Sequence, residues 1–205
     1  MIVIIDYGGG NLFSILKALD FLNVKATVSS NPRDWEKGRA LIFPGQGNFS
    51  QAINSLREGN KIDILKQLIK VKPYLGICLG MQILFEESEE ASGKKGLNLF
   101  SGKVLKLKSK KLPHLGWNQV KIRKDSILFK GIKDNSFFYF VHSYYVDVTE
   151  KDIVVGETFY DEKFPSVIEK DSILGVQFHP EKSSFWGLKL LKNFLDYIYD
   201  YSSCN

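Results

Sequence analysis

The sequence predicts an α/β fold: a doubly wound, mostly parallel sheet of flavodoxin-like type, with a smaller antiparallel or mixed sheet added in the C-terminal half. Three observations predict it. Short apolar runs without alternation recur at residues 2–5, 40–43 and 74–77, as in strands buried on both faces of a parallel sheet. The stretches between them carry the apolar spacing of helices. After Glu90 the texture changes to a series of short strands. The 205 residues fit one domain, 1–205, long enough to bury a core without staples, and no linker marks a second unit.

Residues 2–5 form the first strand. The N-terminus has no basic region ahead of this run and meets Asp6 directly, which argues against a signal peptide. Gly8, Gly9 and Gly10 make a tight connection to a helix capped by Asn11, with Leu12, Ile15, Leu16, Leu19 and Leu22 on one face. A dinucleotide site fails on spacing: GGGN is not G-x-G-x-x-G, and no acidic residue closes the next strand, 25–29. A tight turn or a surface for a partner or substrate remains. Asn31 and Pro32 open a short connection to the strand at 40–43. This strand ends in Pro44-Gly45-Gln46-Gly47-Asn48 and is followed by a helix. Backbone N–H groups in that loop are placed to meet an anion or a developing oxyanion, or they belong to an ordinary loop.

A helix over 62–71 leads through Pro73 to the strand that enters Gly76-Ile77-Cys78-Leu79-Gly80. A helical pattern of Met81, Ile83, Leu84 and Phe85 leaves it. Cys78 therefore sits where a strand turns sharply into a helix, the geometry of a nucleophile elbow; the bland alternative is a small buried hydrophobe. Downstream, strands are expected at 102–107, 119–122, 137–141, 152–158, 166–169 and 173–177, with His114-Leu115-Gly116-Trp117-Asn118 as a turn between strands. Residues 187–199 read as a closing amphipathic helix.

Composition narrows the function classes. No apolar segment reaches the roughly 20 residues needed to span a bilayer. Cys78 and Cys204 read as reduced thiols, so the protein is expected in the cytoplasm. Net charge is +5, but the densest basic stretch, 103–111, mostly alternates lysines with apolar residues and fits the wet face of a strand better than a nucleic-acid patch. His114, His142 and His179 are too scattered to form a zinc site with Cys78, and no metal or cofactor is called for.

The strand ending at Phe178 runs into His179-Pro180-Glu181. Pro180 keeps the chain extended at His179, so residues 179 and 181 point the same way and the Glu181 carboxylate reaches the imidazole. Cys78, His179 and Glu181 thus supply a nucleophile, a base and an orienting acid.

These residues resemble class I, triad-type glutamine amidotransferases, and among them the glutaminase subunits of imidazole glycerol phosphate synthase. The stretches that carry the resemblance are IIDYGGGNLFSILKAL, FPGQGNF, GICLGMQILFEESEE, PHLGWN, YFVHSYYV, GVQFHPEKS and GLKLLKNFL. It implies glutamine hydrolysis to glutamate and ammonia through a thioester on Cys78. It also implies a substrate pocket of Gly45, Gly47, Leu79, Gln82, Glu90, His142 and Ser143, with Glu90 facing the substrate ammonium. The implied partner is a (βα)8-barrel cyclase that receives the ammonia, met in a heterodimer by the 8–11 turn (Gly10, Asn11), Trp117, Asn118, Tyr139 and Lys182. Where the family usually has a small aliphatic residue, this chain has Gln46. That departure leaves a paralogue feeding a sugar-aminating synthase as the alternative.

Overall fold

The computed structural model describes residues 1–204, with side chains as far as Tyr201; the side chain of Cys204 lies outside the described ones. The N-terminal half alternates strand and helix: β1 (Ile2–Ile5), α1 (Leu12–Phe21), β2 (Ala26–Ser29), α2 (Pro32–Lys37), β3 (Ala40–Phe43), α3 (Phe49–Arg57), α4 (Lys61–Val71) and β4 (Tyr74–Ile77). The short α5 (Leu79–Gln82) follows, then β5 (Glu87–Ser88), β6 (Gly102–Lys106), β7 (His114–Ile122), β8 (Ser136–His142) and β9 (Tyr144–Val148). The strands β10 (Val154–Tyr160), β11 (Glu162–Lys170) and β12 (Ile173–Val176) precede the closing helix α6 (Ser184–Cys204).

Among the described residues nine strands form one sheet in the order β2-β1-β3-β4-β12-β11-β10-β7-β8, and three form a second, β5-β6-β9. The run β2-β1-β3-β4-β12 is parallel throughout, the flavodoxin-like order. Helices cover both of its faces. Ile2, Ile4, Ile42, Leu75, Ile77 and Val176 pack in one core with residues of α1 and α6; Val3, Ile5, Leu41, Phe43 and Tyr74 pack in the other with residues of α2, α3 and α4. Successive strand residues point to opposite faces, which is why continuous apolar runs were needed there. Each large side chain fully buried in this way contributes roughly 1.5–3 kcal/mol.

Local chemistry starts the helices. The side chains of Asn11, Asn31 and Asn48 accept from the backbone N–H groups of Ser14, Arg33 and Gln51, and Pro32 supplies a preset first helical residue for α2. Residues 32–37, expected as connection, are thus helical, anchored by the fully buried Trp35, whose Nε1 donates to the Ser29 carbonyl at 2.8 Å.

The smaller mixed sheet expected in the C-terminal half is β5-β6-β9, while strands β11, β10, β7 and β8 extend the parallel sheet edge to edge, β12 being parallel to β4 and antiparallel to β11. Three expectations need correction. No strand is expected from the sequence at 144–148, where β9 lies. Residues 114–118 are no turn but the first half of β7, paired with β8 from His114↔His142 through Trp117↔Tyr139. Finally, the helix after Cys78 stops at Gln82, because the carbonyls of Ile83, Leu84, Phe85 and Glu86 instead accept from residues 96–100. In the basic stretch, strand β6 ends at Lys106, with Lys103 and Lys106 exposed and Val104 and Leu107 buried.

Candidate active site

Cys78 links β4 to α5 with φ +49° and ψ −103°, a conformation that a non-glycine residue adopts only when its surroundings hold it there. They do so here at close range. The Cys78 N–H donates to the Val176 carbonyl at 2.6 Å. A Cβ on Gly76 would lie 2.3 Å from the Gly80 carbonyl, one on Gly80 2.4 Å from the Phe43 carbonyl, and one on Gly45 2.7 Å from the Cys78 Cβ. The elbow therefore needs glycine at all three positions, two in its own turn and one in the loop after β3.

His179 and Glu181 follow β12, the strand next to β4. Register Val176↔Ile77 puts the two strand ends side by side. His179 Nδ1 and Glu181 Oε1 are 2.8 Å apart, and both side chains are about 1% exposed. Burial alone would lower the imidazole, but the Cys78 sulfur and the Glu181 carboxylate outweigh it and hold the His179 pKa raised. His179 Nε2 is buried with no hydrogen-bond partner among the described residues. An imidazole fixed at one nitrogen and open at the other is equipped to exchange a proton with a neighbouring thiol or bound substrate.

A cleft of about 300 Å³ opens over Cys78 and is lined by Gly45, Gln46, Gly47, Leu79, Gln82, Glu90, Val141, His142, Ser143 and Tyr144. The structure thus brings all seven residues expected in a substrate pocket to one cavity. Gln82 Nε2 donates to the Tyr144 carbonyl at 2.9 Å and to Gln177 Oε1 at 3.2 Å, which commits its NH2 group to the protein. Glu90 Oε2 accepts from the Phe49 N–H at the head of α3, at 2.9 Å.

The residues expected at a partner surface gather near the turn after β12, except that Asn118, next to Trp117 on β7, faces the other side of the sheet toward His114. Trp117 and Tyr139 stack edge-on at 6.0 Å on paired strands. The Tyr139 carbonyl accepts from the His179 N–H at 2.8 Å, and Lys182 lies in the same turn as His179. Gly10 and Asn11 head α1, which packs against that turn. Trp117 and Asn118 stand on a strand, however, and not on a turn, whereas Tyr139 stands on the strand expected there.

Two groups in the site were missed. Gln177, fully buried, donates through Nε2 to Cys78 Sγ at 3.3 Å; the signal was an amide inside the otherwise apolar run Leu174 to Phe178. Tyr7, stacked on Phe43 at 4.9 Å, donates its hydroxyl to the Gln46 carbonyl. Burial, with the charges of Cys78 and Asp6, pushes the Tyr7 phenol up and keeps it a donor.

A strained cysteine at a strand end, a buried His–Glu pair after the next strand and a polar cleft above them stand together at the carboxyl edge of a doubly wound sheet. The glutamine amidotransferase class-I family model matches residues 3–197, and the chain belongs to that family. Within it, the chain is 52% identical over 96% of its length, and 99% of the relative's, to the imidazole glycerol phosphate synthase subunit HisH of Methanocaldococcus jannaschii. It is 49% identical to the subunit of the same name from Pyrococcus furiosus, over 94% of this chain and 97% of that one. Among solved structures, a glutamine amidotransferase superposes with TM-score 0.76 at 18% identity, covering 96% of this chain and 98% of that one. PurLQS from Thermotoga maritima superposes with TM-score 0.72 at 19% identity, with the same coverage. These two share the fold.

Proposed function

We propose that the protein hydrolyses glutamine to glutamate and ammonia, and that the ammonia passes to a cyclase partner making imidazole glycerol phosphate in histidine biosynthesis. The observation that carries the chemistry is that Cys78 and the His179–Glu181 pair follow directly on registered neighbouring strands. The pathway and the partner rest on the imidazole glycerol phosphate synthase subunits, which match this chain nearly end to end.

In this reading the Cys78 thiolate attacks the glutamine side-chain amide, and the tetrahedral intermediate's oxygen is met by backbone N–H groups of the 45–47 loop and of Leu79. Collapse forms a glutamyl thioester while His179, acting through the open Nε2, protonates the departing ammonia. His179 then takes a proton from water, which attacks the thioester and releases glutamate. Glu181 holds the imidazole in the required tautomer and stabilises its charged form. Glu90 and the Gln82 carbonyl oxygen receive the substrate's α-ammonium. Gly10, Asn11, Trp117, Asn118, Tyr139 and Lys182 meet a (βα)8-barrel cyclase in a cytoplasmic heterodimer.

The test is glutamate release with and without the histidine-pathway cyclase and its ribotide ligand. Stimulation by both, abolished in Cys78→Ala, is the expected result. Activity surviving Cys78→Ala would remove the nucleophile, and absence of stimulation would remove the pathway in favour of another synthase.

A further inference from the structure

We infer that Gln177 is a catalytic residue, its side-chain amide donating a hydrogen bond to the Cys78 thiolate; this rests on Cys78 being the nucleophile. The orientation of that amide follows from its neighbours. The Tyr144 carbonyl can only accept, so the Gln82 NH2 group faces it, at 2.9 Å. The same NH2 group lies 3.2 Å from Gln177, whose carbonyl oxygen therefore faces Gln82. That leaves the Gln177 NH2 turned to Cys78 Sγ, 3.3 Å away. A donor fixed against the sulfur favours the thiolate over the thiol and stays in place as charge returns to the sulfur when the thioester is cleaved.

The brace extends further. The Tyr144 carbonyl also receives His142 Nδ1 at 2.9 Å, which makes His142 Nε2 an acceptor for His114 Nδ1 at 3.0 Å. His114 Nε2 is then an acceptor for the Asn118 amide at 3.1 Å. The amide beneath the nucleophile is thus the inner end of a hydrogen-bonded series that reaches the rim strand β7. Every member is satisfied only with both imidazoles neutral and in one tautomer each.

The test compares alkylation of Cys78 by iodoacetamide, from pH 6 to pH 10, in the wild-type chain and in Gln177→Met, which keeps the length and removes the donor. Loss of one charge-assisted hydrogen bond predicts alkylation about tenfold slower near pH 7, the gap from wild type closing toward pH 10. Glutaminase kcat in the cyclase complex should fall by about the same factor, with KM within about twofold. Alkylation equal to wild type at every pH, or slowed by the same factor at every pH, overturns the proposal; the second result would mean altered access. If Gln177→Met fails to fold, Gln177→Leu serves with the same readout, since it also removes the donor, and a wild-type profile overturns the proposal. Activity persisting in Cys78→Ala is a separate outcome that overturns the nucleophile itself.

Discussion

Acidification from pH 7 to pH 5 should destabilise this protein through the His114–His142 pair. Both rings are nearly inaccessible. Burial lowers His114 from the ordinary 6.5 to about 4; burial, against the Tyr144 carbonyl's upward pull and with small contributions from His114 and His179, lowers His142 to about 3. A base whose folded-state pKa lies below its unfolded value binds protons more readily when unfolded. Its contribution is complete above pH 6.5 and is lost as pH falls toward the folded-state values. At pH 5 each ring is protonated in the unfolded chain and neutral in the folded one, which costs about 2 kcal/mol per histidine, or roughly 4 kcal/mol together. For a domain of this size that is a fall in Tm of about 10 °C. His179 acts with the opposite sign: its raised pKa gives a contribution that is full below pH 6.5 and is lost on the alkaline side, so it does not obscure the window. Thermal unfolding followed by circular dichroism at pH 7, 6 and 5 measures the effect, and His114→Gln should roughly halve it. A Tm that is level or rises between pH 7 and pH 5 would refute the neutral, buried pair.

Two further outcomes follow from the site. At 2.8 Å and an effective dielectric of about 20, the Glu181 carboxylate stabilises an imidazolium by about 6 kcal/mol, part of which a neutral amide restores by hydrogen bonding. Glu181→Gln should therefore lower glutaminase kcat about a thousandfold with KM little changed, measured in the cyclase complex. Gly45→Ala places a methyl group 2.5 Å from the Ile77 carbonyl and 2.7 Å from the Cys78 Cβ; urea unfolding should show a loss of about 2–3 kcal/mol, with kcat reduced at least a hundredfold in the fraction that stays folded.

The parallel half of the fold was legible because its chemistry is local, and so was the meeting of His179 with Glu181. Uninterrupted apolar runs can only be strands buried on two faces, the paired glycines around Cys78 have few other uses, and Pro180 holds His179 and Glu181 extended. The misread elements were decided by distant partners. Gly116, Trp117 and Asn118 look like turn residues, yet pairing with β8 makes them a strand, and Gly116 accommodates φ +129° within it. The apolar run Ile83 to Phe85 has helical spacing, but residues 96–100 capture its carbonyls. Residues 32–37 were legible in principle, since an asparagine followed by proline is a helix start. Gln177 is a polar residue within an apolar strand, and what its amide meets, Gln82 and Cys78, lies 95 and 99 residues away in the chain.

The seam between β4 and β12 has a consequence for motion. Cys78 is tied to Val176 by a sheet hydrogen bond, so Cys78 and His179 cannot separate without opening the centre of a nine-stranded ladder, an event close in free energy to global unfolding. The 45–47 loop has no such ladder; Gln46 is held by one tyrosine hydroxyl and Gly47 is exposed. Amide exchange would divide the site along this line, the reacting pair keeping its protection while the loop above it opens on its own. A rearrangement confined to that loop gives up the tyrosine hydrogen bond on Gln46 and leaves the strand ends beneath it assembled.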